Sequence, residues 1–108
     1  MSGGHFEYNQ WKIEEIANDI EQEIKDSGQP VSEYERKEKE LWSPGWYEKY
    51  PEDLTNYEYP KEILDEFKKG VEYLRKAYVY TQRIDWLLSG DDGEESFISR
   101  LKDDLDKL

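Results

Sequence analysis

Acidic side chains crowd the stretch RIDWLLSGDDGEESF, residues 83–97, and carboxylates in such a run could bind a divalent cation or form a catalytic acid–base pair. A calcium loop needs oxygen ligands at alternating positions over about a dozen residues, with a distal Glu. Here the apolar Phe97 follows the carboxylates almost at once. We therefore expect a turn between two helices, in which Gly90 is left-handed and Asp92, with Glu95, caps the second helix.

Few other side chains are suited to metal binding or nucleophilic chemistry. The 108 residues include one histidine, His5, and no cysteine, which excludes disulfides, thiolate metal sites and Cys nucleophiles. A Ser-His-Asp triad would depend on His5, close to the start of the chain, and the sequence has no nucleophile elbow. It also has no glycine loop for phosphate. We expect no catalysis, no metal and no cofactor.

Basic residues alternate with tyrosines along one predicted helix face. Their spacings are 4, 3, 4 and 3, and the residues are Lys69, Tyr73, Lys76, Tyr80 and Arg83. We call this set the basic–tyrosine stripe. It could stack a ring and hold a phosphate, which predicts a site for a small nucleotide-like ligand. The alternative is that its basic side chains pair with acids of neighbouring helices.

The middle of the chain, residues 29–60, contains seven of the sixteen aromatic residues and has no regular period. Ser32 followed by Glu35 predicts a short helix over residues 33–42 that breaks at WSPGW. We expect the remainder to be irregular and to wrap over the helices, with its rings forming a protein-binding surface. The candidate contact residues are Trp42, Trp46, Tyr47 and Tyr50.

Three longer helices must position these side chains. Apolar residues recur at helical spacing over residues 9–27, 61–88 and 94–107. Gly28 and Pro30 end the first of these segments, and Pro60 introduces the second. The patterns predict a mostly α fold, a small bundle of three main helices in a single domain, with residues 29–60 as an aromatic-rich connecting segment.

Charge and hydropathy limit the partners. The chain has 27 acids and 15 bases, a net charge of −12, and such a surface repels the phosphates of free DNA or RNA. The acids either keep a small protein in solution or imitate nucleic acid toward a basic protein. No run approaches the roughly 18 apolar residues of a membrane helix, so we expect a cytoplasmic protein without a membrane partner. The long helix carries more apolar surface than two short helices cover, which favours a homodimer.

Three segments resemble small conserved proteins that bacteriophages and prophages encode. They are the opening MSGGHFEYNQ, the helix IEEIANDIEQEI and the ending RIDWLLSGDDGEESFISRLKDDL. The resemblance implies a bacterial host cytoplasm and an accessory protein that acts on a host component. We therefore expect a non-catalytic binding protein that engages and inhibits a host protein through its acidic, aromatic surface. The alternatives are sequestration of a nucleotide-like molecule and structural self-assembly.

Overall fold

Residues 4–108 are described by the structure, a computed structural model. The first three residues of the opening that carries the phage resemblance lie outside this range. The helices are α1 (Trp11–Asp26), α2 (Glu33–Trp42), α3 (Trp46–Lys49), α4 (Lys61–Leu88) and α5 (Glu94–Asp106), and a 3-10 turn covers Pro51–Leu54. The mostly α fold is confirmed, since residues 4–108 contain no β-strand beyond a single isolated bridge.

The helix bounds follow the sequence signals closely. The helices predicted over residues 61–88 and 33–42 have those bounds, and the other two agree to within two residues. The Ser32 hydroxyl accepts the Glu35 backbone N–H at 3.1 Å, as a helix cap does. Gly28 takes a φ of +73° just after α1, where a residue with a side chain would be strained.

The long helix α4 lies between α1 and α5. Gln10, just before α1, donates to Gln82, while Asn18 further along α1 accepts from Arg75, so α1 runs antiparallel to α4. The last helix packs on another side of α4, and α1 and α5 make at most a marginal contact with each other. Within residues 4–108, none of the helices combines the length and apolar composition needed to cross a membrane.

Little of the chain is fully buried. Among residues 4–108 the buried apolar side chains are Ala17 and Val71, whereas the polar Gln10, Asp85 and Asp92 are buried too. The radius of gyration is 20.0 Å, against about 13 Å for a compact domain of this length. The molecule is therefore open and elongated, and most of its apolar residues keep part of their surface in water.

An arm, residues 32–53, contains α2, α3 and most of the 3-10 turn. Its two ends are joined where the Val31 N–H donates to the Leu54 carbonyl at 2.9 Å and the Asn56 N–H donates to the Gln29 carbonyl at 2.8 Å. Neither α2 nor α3 packs appreciably on the long helices of the described chain. For the arm, the prediction that residues 29–60 wrap over the helices is wrong, because backbone pairing closes the arm at its base and its rings pack on one another. Beyond the arm, the Tyr59 ring does pack on Phe67 of α4, with the ring centroids 5.2 Å apart.

The turn between α4 and α5 confirms the interpretation of the acidic stretch. The helix α4 ends at Leu88, and Gly90 has a φ of +83°. The predicted cap is wrong, because Gly93 is the residue that precedes α5, and its N–H donates to the Ser96 hydroxyl at 3.2 Å. Asp92 is instead turned inward, where two arginines pair with it.

Candidate protein-binding site

Two of the predicted contact residues hold the arm together. The Trp46 and Tyr50 rings lie 4.5 Å apart between centroids, and the Trp46 indole N–H donates to Asp53 at 2.8 Å. The Lys39 ammonium lies 4.1 Å from the Trp46 ring centroid, a cation–π contact. Trp46 and Tyr50 are thus the internal packing of the arm and are less suited to meet a partner than an unpacked ring.

The other two candidates line a groove, and of these Trp42 faces solvent while Tyr47 is partly buried. Trp42 is 77% exposed and its neighbour Leu41 is 75% exposed. Trp42 and Tyr47 line a groove of about 380 Å³, together with Glu35, Glu38, Lys39 and Ser43. Because α2 ends at Trp42 and the chain turns at Gly45, the indole stands at the outer end of a helix that packs on no long helix of the described chain.

The charge of the arm suits a basic partner. Residues 32–53 contain seven acids and four bases, and Glu35 and Glu38 lie on the groove beside the exposed indole. An indole flanked by carboxylates presents an apolar body and acceptors at its rim. This arrangement can bind an apolar pocket bordered by Lys or Arg.

The basic–tyrosine stripe is only partly assembled. Tyr73 and Tyr80 are exposed on α4, while Lys69 and Lys76 pair with Glu66 and Glu72 of the same helix at 3.1 and 3.2 Å. Arg83 is turned toward α5, where its Nε lies 2.6 Å from Asp104. Pairing with an acid of a neighbouring helix accounts for Arg83 alone, since Lys69 and Lys76 pair within α4, and the ligand site stays a prediction.

An arginine–aspartate cluster links the turn to both of its helices, and sequence reasoning missed it. The Asp92 side chain, 1% exposed, lies 2.5 Å from Arg100 and 3.6 Å from Arg83, and Arg83 also stacks on Trp86 at 4.6 Å from the ring centroid. A turn carboxylate between two helices that each carry an arginine is the signal that could have revealed it. We assign the cluster a structural role, since its cations and carboxylates pair with one another, with one Asp92 oxygen held by charge alone at 3.6 Å from Arg83.

A second buried polar contact anchors the start of the described chain. The Phe6 backbone N–H donates to Asp85 at 2.8 Å, and the Gln10 side chain donates to Gln82 at 2.7 Å. Gly4 lies so close to Asp85 that a Cβ there would come within 2.4 Å of a carboxylate oxygen. The glycine in this opening segment therefore permits a close backbone approach to α4, which no local pattern indicates.

One titratable group is shifted by the contact between α1 and α4. Burial raises the pKa of the Tyr78 phenol above its ordinary value, and the nearby Glu14 carboxylate raises it further by its charge and by accepting a hydrogen bond. The Tyr78 phenol therefore links α4 to α1 only while it keeps its proton.

Metal binding has no geometric support in the part of the chain that the structure describes. Residues 4–108 bring together no group of three or more His, Asp or Glu side chains that could hold a metal ion.

No protein-family model, no curated protein and no solved structure matches this chain.

Proposed function

We propose that this chain is a non-catalytic binding protein that captures a protein partner with its arm. The observation that carries the proposal is the exposure of Trp42, next to an equally exposed Leu41, on a segment without appreciable packing on the long helices of the described chain. Buried Trp residues are among the commonest energetic anchors of protein interfaces. The arm holds such an anchor at its outer end.

The internal packing of the arm supports the same proposal. The contacts of Trp46 with Tyr50, Asp53 and Lys39 give the arm its own structure, so Trp42 is held by a folded unit. Pre-organisation of this kind reduces the entropy lost on binding. The surface we propose is therefore Trp42 with Tyr47 and the groove between them, and Trp46 and Tyr50 support it from within.

The partner we propose is a protein with a basic surface around an apolar pocket. A net charge of −12 on this chain attracts such a surface and speeds the encounter, an effect that salt weakens. The resemblance to phage-encoded proteins supports a host protein in the bacterial cytoplasm as this partner, with its inhibition as the outcome. Sequestration of a nucleotide-like ligand has less support, because Arg83, Lys69 and Lys76 are engaged with acids.

Site-specific photocrosslinking tests the proposal. The photoreactive residue p-benzoylphenylalanine replaces Trp42 in one version of the protein and Trp11 in a control version. Trp11 is a matched control because it is also an exposed tryptophan, 55% exposed, but lies on α1. Both proteins are produced in bacterial cells and illuminated, and the adducts are identified by mass spectrometry.

The expected result is one protein adduct that forms from position 42 and not from position 11. When the illumination is repeated in a cell lysate, the yield of this adduct should fall as salt is raised to about 0.5 M, since screening shortens the reach of the acidic surface. The proposal is contradicted if both positions give the same adducts, or if position 42 gives none.

A further inference from the structure

The side of α4 away from α1 carries a regular pattern of small residues, tyrosines and aliphatic residues, and its centre, Tyr73, Ala77 and Tyr80, is exposed. The contacts with α1 use Arg75 and Tyr78 of α4, and those with the segment just before α1 use Gln82 and Asp85. On the opposite side, residues recur at spacings of 3, 4, 3, 4 and 3, the heptad spacing of helices that pack as a coiled coil. We call these residues the open face of α4, and they are Gly70, Tyr73, Ala77, Tyr80, Ile84 and Leu87.

The open face is accessible to a partner helix. Tyr73 is 68% exposed and Tyr80 is 45% exposed, Ala77 is exposed, and Ile84 and Leu87 are partly exposed. Tyrosines at this level of exposure, beside an alanine and two aliphatic residues, form a surface suited to burial.

Gly70 gives an independent indication that another helix packs on the open face. A glycine inside a helix destabilises it by about 1 kcal/mol relative to alanine. A Cβ at Gly70 would meet no atom within 4 Å among the described residues, so packing within this part of the chain does not require glycine there. Close approach of another helix would require it.

The exposed area of the chain is large enough for a stable interface. A folded monomer of 13.0 kDa exposes about 6,300 Å². This chain exposes 8317 Å². The excess is about 2,000 Å², and a standard interface buries about 800 Å² on each partner. The excess over the whole chain is larger than one such interface requires.

We infer that the open face of α4 binds the open face of a second copy, with the two α4 helices antiparallel. In this orientation, with the two-fold axis between Ala77 and Tyr80, each small residue meets a large one. Gly70 lies opposite the partner's Leu87, Ala77 opposite the partner's Tyr80, and Tyr73 opposite the partner's Ile84. A parallel pair would place Gly70 on the partner's Gly70 and Tyr73 on the partner's Tyr73, leaving gaps and clashes in alternation.

A two-fold dimer would also carry two arms, so capture of a partner with two sites would gain from avidity.

Sedimentation velocity tests the dimer, with two substitutions that each add one negative charge. Ala77→Glu puts a carboxylate at the centre of the open face, and Ile98→Glu puts one on an exposed position of α5. We expect the unmodified chain and Ile98→Glu to sediment at twice 13.0 kDa, and Ala77→Glu at 13.0 kDa. Circular dichroism should show unchanged helix content in both variants, because both positions are exposed in the single chain.

Single cysteines test the orientation, since the chain has no cysteine of its own. In the antiparallel dimer two Ala77→Cys residues are offset by three residues, about 4.5 Å along the axis, and two Leu87→Cys residues by 17, about 25 Å. A short thiol crosslinker should join the first pair at least tenfold more efficiently than the second.

Three outcomes overturn the inference. If the unmodified chain is monomeric at micromolar concentration, the dimer is contradicted. If Ala77→Glu forms dimers as tight as those of the unmodified chain, the open face is not the interface. If crosslinking is equally efficient at positions 77 and 87, the helices are not antiparallel. None of these outcomes bears on the crosslinks from Trp42, so the dimer and the capture of a partner fail separately.

Discussion

Substitution of Gly70 separates the stability of the single chain from the stability of the dimer. Within the described residues nothing lies within 4 Å of a Cβ added at this position. Gly70→Ala should therefore stabilise the monomer by about 1 kcal/mol, the difference in helix propensity. In a domain of this size that gain raises Tm by about 4–8 °C. Gly70→Leu should stabilise the monomer by a similar amount, because leucine is also a good helix former.

The dimer should respond in the opposite way to the larger side chain. Gly70 faces the partner's Leu87 in the antiparallel pair, so a leucine at this position pushes the two helices apart. Overpacking costs about 1–3 kcal/mol at each site, and the two-fold axis repeats the site, which gives about 2–6 kcal/mol in the dimer. The smaller value already weakens Kd by about 30-fold.

Two measurements on the same samples distinguish these effects. Thermal unfolding at concentrations below Kd reports the monomer, and sedimentation equilibrium over a concentration series reports Kd. The expected result for Gly70→Leu is a higher Tm in dilute solution together with weaker association. If Gly70→Leu associates as tightly as the unmodified chain, no helix approaches Gly70. If Gly70→Ala has a lower Tm than the unmodified chain in dilute solution, the single chain itself requires glycine at this position.

Three further results are expected. Arg83→Ala removes a cation that is largely buried against carboxylates and should lower the free energy of unfolding in urea by about 3 kcal/mol, and Arg100→Ala, which removes the hydrogen bond of the buried Asp92 carboxylate, should lower it by a comparable amount. The folded chain holds the Tyr78 proton more tightly than the unfolded chain, so the protonated phenol stabilises the fold fully below pH 10, and this contribution is lost as pH rises through the raised pKa. The free energy of unfolding, measured from pH 9 to 12, should therefore fall less for Tyr78→Phe than for the unmodified chain. Trp46→Ala should speed hydrogen exchange across residues 33–53, and Trp42→Ala should leave it unchanged.

The helices could be predicted because their signals are local. Isoleucines at helical spacing with Gly28 and Pro30 after them, and Ser32 three residues before Glu35, determine where the chain starts and ends a helix without reference to distant residues. The bounds of α2 and α4 therefore agree with the structure.

The arm and the turn depended on contacts between distant residues, and no local pattern reports those. Asp92 satisfies the sequence rule for a helix cap, yet Arg83, nine residues earlier, and Arg100, eight residues later, pull it inward. The aromatic segment was expected to lie on the helices because rings usually supply core. The pairing of Val31 with Leu54 instead gives the segment its own base, and its rings pack on each other.

The candidate contact residues were predicted as a group, and the structure divides them by role. Sequence alone gives Trp42 and Trp46 equal standing, since both are tryptophans in one aromatic segment. The hydrogen bond from Trp46 to Asp53 shows that this ring is packed within the arm, whereas the Trp42 ring is exposed to solvent. The heptad spacing of the open face of α4 is visible in the sequence. The basic–tyrosine stripe shares Tyr73 and Tyr80 with it, so the same residues were assigned to a ligand site.

The affinity of the protein that crosslinks at position 42 tests the central claim most directly. Its dissociation constant is measured by titration calorimetry for the unmodified chain, for Trp42→Ala and for the control Trp11→Ala. Truncation of an interface anchor costs at least about 2 kcal/mol, so Trp42→Ala should bind at least about 30-fold more weakly. Trp11→Ala should bind within about twofold of the unmodified chain, because exposed residues outside an interface change little. Equal losses in the two variants, or unchanged affinity of Trp42→Ala, would contradict capture of a partner by the arm.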